Sequence, residues 1–203
     1  MNISRIKFPG LERLEEAYRE IDEQILLFKH AARIECLKKC RECCHSARFV
    51  EASLFEMLPL SIRLWEIGKA ESILEKLEET DPEGTCILLN RDPSLLSEGG
   101  CTYYSFRPFI CRLFGFSAVA DKHGNPRMAL CKPLKNLNPG IEDRLNEGIR
   151  GGLSVPLIPD LSRQVSLLSL NFGLPRYSIN SALRQALEVV GQRIRYLSAS
   201  IRK

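Results

Sequence analysis

Cys36-Leu-Lys-Lys-Cys40-Arg-Glu-Cys43-Cys44-His45 holds half of the chain's 8 cysteines. The others follow at Cys86, Cys101, Cys111 and Cys131, and none lies outside that span. Thiolates bind soft and borderline metal ions, and pairs two to four residues apart present two sulfurs to one ion. Residues 36–131 therefore read as one metal-organising unit with helices on either side.

Cys36 and Cys40 stand i,i+4, and Cys40 and Cys43 stand i,i+3, so each pair shares a helix face with Cβ atoms about 5–6 Å apart. Tetrahedral zinc–thiolate bonds of about 2.3 Å hold sulfurs just under about 4 Å apart, a gap that rotamers close for one pair. Three are harder, because an unbroken helix rises about 10 Å from Cys36 to Cys43. Either the helix breaks near Cys43-Cys44, or the thiols divide between two metal sites, or a larger iron–sulfur cube bridges the gap. Adjacent Cys43 and Cys44 point in different directions on any regular backbone, which favours a break or a bridge. His45 is a further nitrogen donor or open-site base, although eight thiols already fill two tetrahedral sites.

The 203 residues suffice for one domain with a real core, and 44% hydrophobic with 27% charged residues is an ordinary globular composition. The opening Met1–Gly10 stretch lacks the apolar region and cleavage site of a secretory signal, and no apolar run reaches membrane-spanning length. The expected location is the cytoplasm, where thiols stay reduced and metal ligation is favoured over a disulfide framework. The formal charge of +4 counts every thiol as neutral, and eight thiolates around two Zn2+ would cancel it. With Lys and Arg dispersed, there is no strong nucleic-acid signal, and no membrane partner is expected. No Walker loop, HExxH helix or Ser-His-Asp arrangement is present.

Upstream, Leu11, Leu14, Tyr18, Ile21, Ile25, Phe28 and Ala32 recur every three or four residues. This predicts an amphipathic helix with acidic early turns that runs toward Cys36 without a boundary signal and delivers the first cysteines. Its apolar face packs on its own domain or, on the sharper reading, forms a dimerising seam. Beyond His45, Phe49–Leu60 reads as a short element with Glu51 and Glu56 exposed, interrupted by Pro59. Ser61–Glu79 reads as a second helix with Ile62, Trp65, Ile73 and Leu77 inward, stopped by Thr80-Asp-Pro-Glu-Gly84. Residues 85–115 read mainly as loop, and a loop of that length needs something other than a core to fix it; three cysteines are the candidates.

Phe114–Ala120 and Arg127–Cys131 flank Asp121-Lys-His-Gly-Asn-Pro126 as a β-hairpin that returns Cys131 to the cluster, with His123 a solvated turn residue. A short helix near Ile141–Ile149 and another over Leu161–Leu170 follow. The last helix is capped by Ser178, carries Ile179, Leu183, Leu187, Val190, Ile194, Leu197 and Ile201 on one face, and has Arg193, Arg195, Arg202 and Lys203 toward its negative end. Among the cysteines, Lys38, Lys39 and Arg41, and then Arg107 and Arg112 flanking Cys111, can offset thiolate charge and donate hydrogen bonds to sulfur. Pro108 holds Arg107 extended beside the metal.

Cys40-x2-Cys43-Cys44 preceded by Cys36, then Cys86, then Cys101-Thr-Tyr-Tyr-Ser-Phe-Arg107-Pro108-Phe-Ile-Cys111-Arg112-Leu-Phe114, resembles the YkgJ-type cysteine-cluster family, described as a CxxCxxCC zinc- or iron-chelating domain. The resemblance covers roughly residues 36–131 and is most specific in the Cys-Cys doublet and the run from Tyr104. It implies Cys40, Cys43, Cys44, Cys86, Cys101, Cys111 and Cys131 as ligands; Cys36 joins them if Cys-x3-Cys substitutes for the family's Cys-x2-Cys. A relative, the flagellin lysine N-methylase, depends on S-adenosylmethionine, but no Gly-rich cofactor loop after a clear strand occurs here.

The expectation is a mainly α-helical protein with a small β-hairpin and a long cysteine-rich loop organised around metal. Its parts are an N-terminal helix (1–35), the cysteine-cluster region (36–131) and C-terminal helices packed on the same domain (132–203). The eight thiols Cys36, Cys40, Cys43, Cys44, Cys86, Cys101, Cys111 and Cys131 bind zinc or an iron–sulfur cluster such as [4Fe–4S], in a structural or redox-sensing role. The alternative is a metal-dependent enzyme acting on a macromolecular substrate by group transfer, such as methylation from S-adenosylmethionine, or by redox chemistry. A homodimer through a terminal helix is a third expectation.

Overall fold

The computed structural model describes residues 8–38, 40–45, 47–90, 92, 100–168 and 175–201. Expectations at Lys39, at 91 and 93–99, at 169–174 and at Arg202 and Lys203, and for the side chain of Ile201, lie outside the described residues. The chain is mainly helical: α1 (Leu11–Ala32), α2 (Glu42–His45), α3 (Leu54–Glu66), α4 (Ala70–Glu79), α5 (Phe109–Leu113), α6 (Lys132–Leu137), α7 (Ile141–Arg150), α8 (Ile158–Leu167) and α9 (Ile179–Ile201). Two small antiparallel sheets join β1 (Glu51–Ser53) to β4 (Arg176–Ser178), and β2 (Ala118–Ala120) to β3 (Pro126–Met128). Among the described residues, no helix is long and apolar enough to cross a membrane.

The period-3.6 face of α1 is buried as its pattern requires: Leu14, Tyr18, Ile21, Ile25, Phe28 and Ala32 all sit in the core. The face that would form a dimer seam is thus the one packed inside the chain. α1 stops before the cysteines, however. Arg33 adopts a left-handed conformation (φ 53°) and closes the helix, so Cys36 and Cys40 lie in an irregular segment beyond it. The break expected at Cys43-Cys44 falls earlier, and the doublet itself occupies the single turn of α2.

Glu56, expected at the surface, is only 1% exposed. Ser53 caps α3, with its hydroxyl accepting from the Glu56 amide while the Glu56 carboxylate accepts from the Ser53 amide. This reciprocal box starts the helix at Leu54 and turns Glu56 inward. Pro59 consequently lies inside α3 instead of ending an element. It forfeits one backbone bond, and α3 nevertheless continues because Phe55, Met57, Leu58, Leu60 and Leu64 are buried around it. The expected Ser61–Glu79 helix is instead divided at residues 67–69 into the end of α3 and α4.

α3 packs on α9, whose Ala182, Leu183, Ala186, Leu187 and Val190 are buried. The partly buried Trp65 ring lies against Gly191, and its indole Nε1 donates to the Leu187 carbonyl at 3.0 Å. Each large apolar side chain so buried contributes about 1.5–3 kcal/mol. The expected hairpin forms with shorter strands, and buried Asn146 of α7 accepts from the Met128 amide of β3 at 2.9 Å. Within 85–115, α5 is a short helix that loop-like composition concealed.

Candidate metal centre

Four segments carry the eight cysteines to one place. Cys36 and Cys40 come from the irregular stretch after α1, and Cys43 and Cys44 from α2. The Cys86 amide donates to the Cys44 carbonyl at 3.0 Å, tying the second segment to the first. Leu88 and Asn90 then pair with Thr102 and Gly100 (Thr102 N to Leu88 O 2.9 Å, Asn90 N to Gly100 O 2.8 Å), so Cys101 stands opposite Leu89, shortly after Cys86. The Gly100 amide donates to the Cys40 carbonyl at 3.0 Å. A Cβ on Gly100 would fall 2.4 Å from Arg41 Cγ, so this approach requires glycine. Cys111 lies in α5, and Cys131 immediately precedes α6.

All eight line a single cavity of about 450 Å3, together with Tyr103, Tyr104, Phe106, Phe114 and Phe116. Cys44 and Cys86 are buried and Cys36 is exposed. Sulfur–sulfur hydrogen bonds link Cys43 to Cys44 and Cys44 to Cys86. The exposed His45 is not part of the lining, and His123 is exposed in its turn. Lys38 lines the cavity.

The surroundings favour the neutral form of six of these thiols. The bond to Cys44 and then burial push Cys43 far above the ordinary thiol range. For Cys44, the Cys43 bond pulls down, but the Cys86 bond and burial outweigh it and leave the thiol near about 12. Burial raises Cys36 to about 11 and raises Cys101, Cys111 and Cys131 as well. The Arg107 charge opposes the rise at Cys43, Cys101 and Cys111. Its guanidinium stacks 3.5 Å from the Tyr104 ring centre, with Nε donating to the Tyr104 carbonyl and one terminal nitrogen to the Cys111 carbonyl, both at 3.0 Å.

Arg112 is used differently. Burial lowers its pKa, while Asp22 pulls it back up. It ion-pairs with Asp22, donates to the Ser105 and Arg107 carbonyls at 2.7 and 2.8 Å, and lies over Tyr18. It therefore locks α1 to the 105–112 segment. Sequence reasoning missed three supports. Glu56 accepts the Phe109 amide at 3.2 Å and so fixes the start of α5; its signal, Ser53-x-x-Glu56, was in the sequence. Asn180, 2% exposed, accepts from the Ile87 amide and donates to the Thr85 carbonyl, gripping both sides of Cys86. Lys29 of α1 reaches the cavity over Phe116. No local pattern marks the last two.

Residues 35–132 match the family model of the CxxCxxCC domain, whose description is a putative zinc- or iron-chelating domain. The matched stretch holds all eight cysteines. The YkgJ-type resemblance names the same family. No curated protein and no solved structure matches the chain significantly. Eight thiols on one cavity suit zinc and iron, both of which take thiolate sulfur. Among the described residues, no three His, Cys, Asp or Glu side chains are drawn tightly enough to hold an ion as they stand. Ligation thus requires the sulfurs to leave their mutual hydrogen bonds and close in.

Proposed function

We propose that this is a metal-binding protein whose eight cysteines chelate zinc or an iron–sulfur cluster, with the metal organising residues 85–131 in a structural or redox-sensing role. The observation that carries this reading is the convergence of all eight thiols, from distant parts of the chain, on one cavity. A structural zinc site supplies about 10–16 kcal/mol on binding, against a net domain stability of about 5–15 kcal/mol. Metal is therefore worth as much as the rest of the fold. Arg107 stands as a charge-compensating neighbour of the thiolates, and the cytoplasm is the compartment that keeps them reduced. Anaerobic purification with metal analysis and a visible spectrum separates coloured iron–sulfur from colourless zinc. Chelation should then accelerate hydrogen exchange across 85–131; a stripped protein with unchanged exchange there would count against the proposal.

The second reading is a metal-dependent enzyme performing group transfer or redox chemistry on a macromolecular substrate. It is favoured by the cavity volume, about 450 Å3, which lies in the range of organic ligand pockets. Binding of S-adenosylmethionine by the metal-loaded protein supports it, and a saturated four-thiolate shell with no such binding removes it.

A further inference from the structure

The family match begins at residue 35, yet the cysteine cavity has a wall that comes from before it. Asp22, Ile25, Leu26 and Lys29 of α1 all line the cavity, and their i, i+3, i+4, i+7 spacing puts them on one helix face. That face carries one acid and one base, about 10 Å apart along the axis. Asp22 is paired with Arg112. Lys29 is half-buried, and its ammonium lies 5.3 Å from the centre of the Phe116 ring, another lining residue. Among the described residues, no carboxylate lies within ion-pairing distance of it. A lysine stem is long and flexible and ordinarily carries its charge out into water. This one instead leaves a cation against the aromatic wall of the metal cavity with no acid to balance it.

We propose that Lys29 supplies positive charge to the loaded metal centre, so that the N-terminal helix is a working part of that centre and not only a support for the fold. This rests on the metal-binding reading and adds to it a residue that the family match does not contain. Four thiolates on one divalent ion, or on one [4Fe–4S]2+ cluster, carry a net charge of about −2. In a cavity walled by Tyr103, Tyr104, Phe106, Phe114 and Phe116, water does little to relieve that charge. Arg107 answers it from a fixed place, tied to the Tyr104 and Cys111 carbonyls. Lys29 has the Phe116 ring as its contact, so its ammonium can shift toward the sulfurs and donate to them once metal has displaced the thiol protons. Lys38 also lines the cavity, but it is exposed and water already screens its charge.

The test compares, in the full chain, Lys29→Met, which keeps an apolar stem without the charge, with Lys29→Arg, which keeps the charge. Zinc affinity is read by competition with a chromophoric chelator. Lys29→Met should bind zinc about 10-fold more weakly, the lower end of what losing a neighbour of metal ligands costs, and Lys29→Arg should restore most of the loss. The gap between Lys29→Met and the wild type should narrow from about 0.01 M salt, where charges act over about 30 Å, to about 1 M, where they act over about 3 Å; a packing role would not respond to salt. Metal-free Lys29→Met should keep the wild-type urea midpoint, because no ion pair is lost. If the chain loads an iron–sulfur cluster, the same order is read in its reduction potential, which should become more negative in Lys29→Met and recover in Lys29→Arg. Wild-type affinity and potential in Lys29→Met, an arginine variant as weak as the methionine one, a gap that salt does not move, or a lowered urea midpoint in metal-free Lys29→Met would overturn the assignment and leave metal binding intact. A wild-type chain that takes up neither zinc nor iron would sink both.

Discussion

Glu56→Gln tests whether the hidden carboxylate is a structural junction. Its Oε1 accepts from the Ser53 amide (3.1 Å), the Ser53 hydroxyl (3.2 Å) and Arg176 (3.0 Å), while Oε2 accepts from the Phe109 amide (3.2 Å). One carboxylate thereby joins the start of α3, the β1–β4 sheet and the start of α5, the helix that carries Cys111. Glutamine has the same shape but one acceptor oxygen. If that oxygen takes the Oε1 position, the side-chain NH2 faces the Phe109 amide, donor against donor. A lost hydrogen bond to a charged group costs about 1.5–3 kcal/mol, and breaking a buried ion pair costs about 3–5 kcal/mol. The Arg176 side chain is 31% exposed and can turn to water, which discounts the second figure. A loss of about 3 kcal/mol follows, a large part of the about 5–15 kcal/mol a domain holds. Urea unfolding of the metal-free protein, read through its single tryptophan, Trp65, measures it. Arg176→Gln should cost less than half as much. A loss under about 1 kcal/mol for Glu56→Gln, or an equal loss for Arg176→Gln, would refute the junction.

Cys36 and Cys44 keep their protons to about 11 and about 12 in the folded metal-free protein, against an ordinary value near 9. A raised folded pKa favours the protonated fold, so stability should be level below about pH 8.5 and decline as pH rises from there toward 12; a urea midpoint that climbs between pH 7.5 and pH 10 contradicts this. Asn180→Leu removes the bonds to Ile87, Thr85 and Asp81 and strands their backbone groups, at about 1–3 kcal/mol each where water cannot reach. Hydrogen exchange should speed up at Ile87 before it does in α7, and uniform exchange across both would refute a local grip. Ser61 is buried in α3 with a hydroxyl that has no hydrogen-bond partner among the described residues. Ser61→Ala should therefore be neutral or raise stability by about 1 kcal/mol in the same unfolding assay, and a fall above 1 kcal/mol means the hydroxyl is satisfied.

The helices legible in the sequence were those whose burial follows a simple period. Leu14 to Ala32 and Ile179 to Val190 repeat at three and four, and those faces are in the core. Chemistry and not periodicity marks the cysteines as candidates, and all eight line one cavity. What misled was local polarity. Glu56 reads as solvent-facing from its charge, although Ser53-x-x-Glu56 spells a capping box, and Pro59 reads as an interruption although seven other residues of α3 are buried around it. The end of α1 was invisible, because Arg33 closes it in a left-handed conformation that glycine or asparagine more often adopts. The supports contributed by Asn180 and Lys29 depend on tertiary contacts far along the chain, for which no spacing rule exists.

Burial sets the terms on which a cation enters this cavity. A thiol ligates as thiolate, so Cys36, Cys43, Cys44, Cys101, Cys111 and Cys131 must first surrender protons that burial and neighbouring sulfurs help to hold in place. The proton bonds from Cys43 to Cys44 and from Cys44 to Cys86 are therefore competitors of the metal, and they also keep those sulfurs close without it. Four thiolates on a divalent ion leave an excess of negative charge in an apolar, aromatic-walled space. Arg107 is placed to offset it, held by Tyr104 and the Cys111 carbonyl where it acts on three sulfurs at once. Arg112, one residue past Cys111, has Asp22 as its counter-charge and adds rigidity. The two arginines that look alike beside Cys111 thus differ in their partners: Arg107 is held by Tyr104 and the Cys111 carbonyl, and Arg112, whose charge also meets Cys111, by Asp22 and the Ser105 and Arg107 carbonyls.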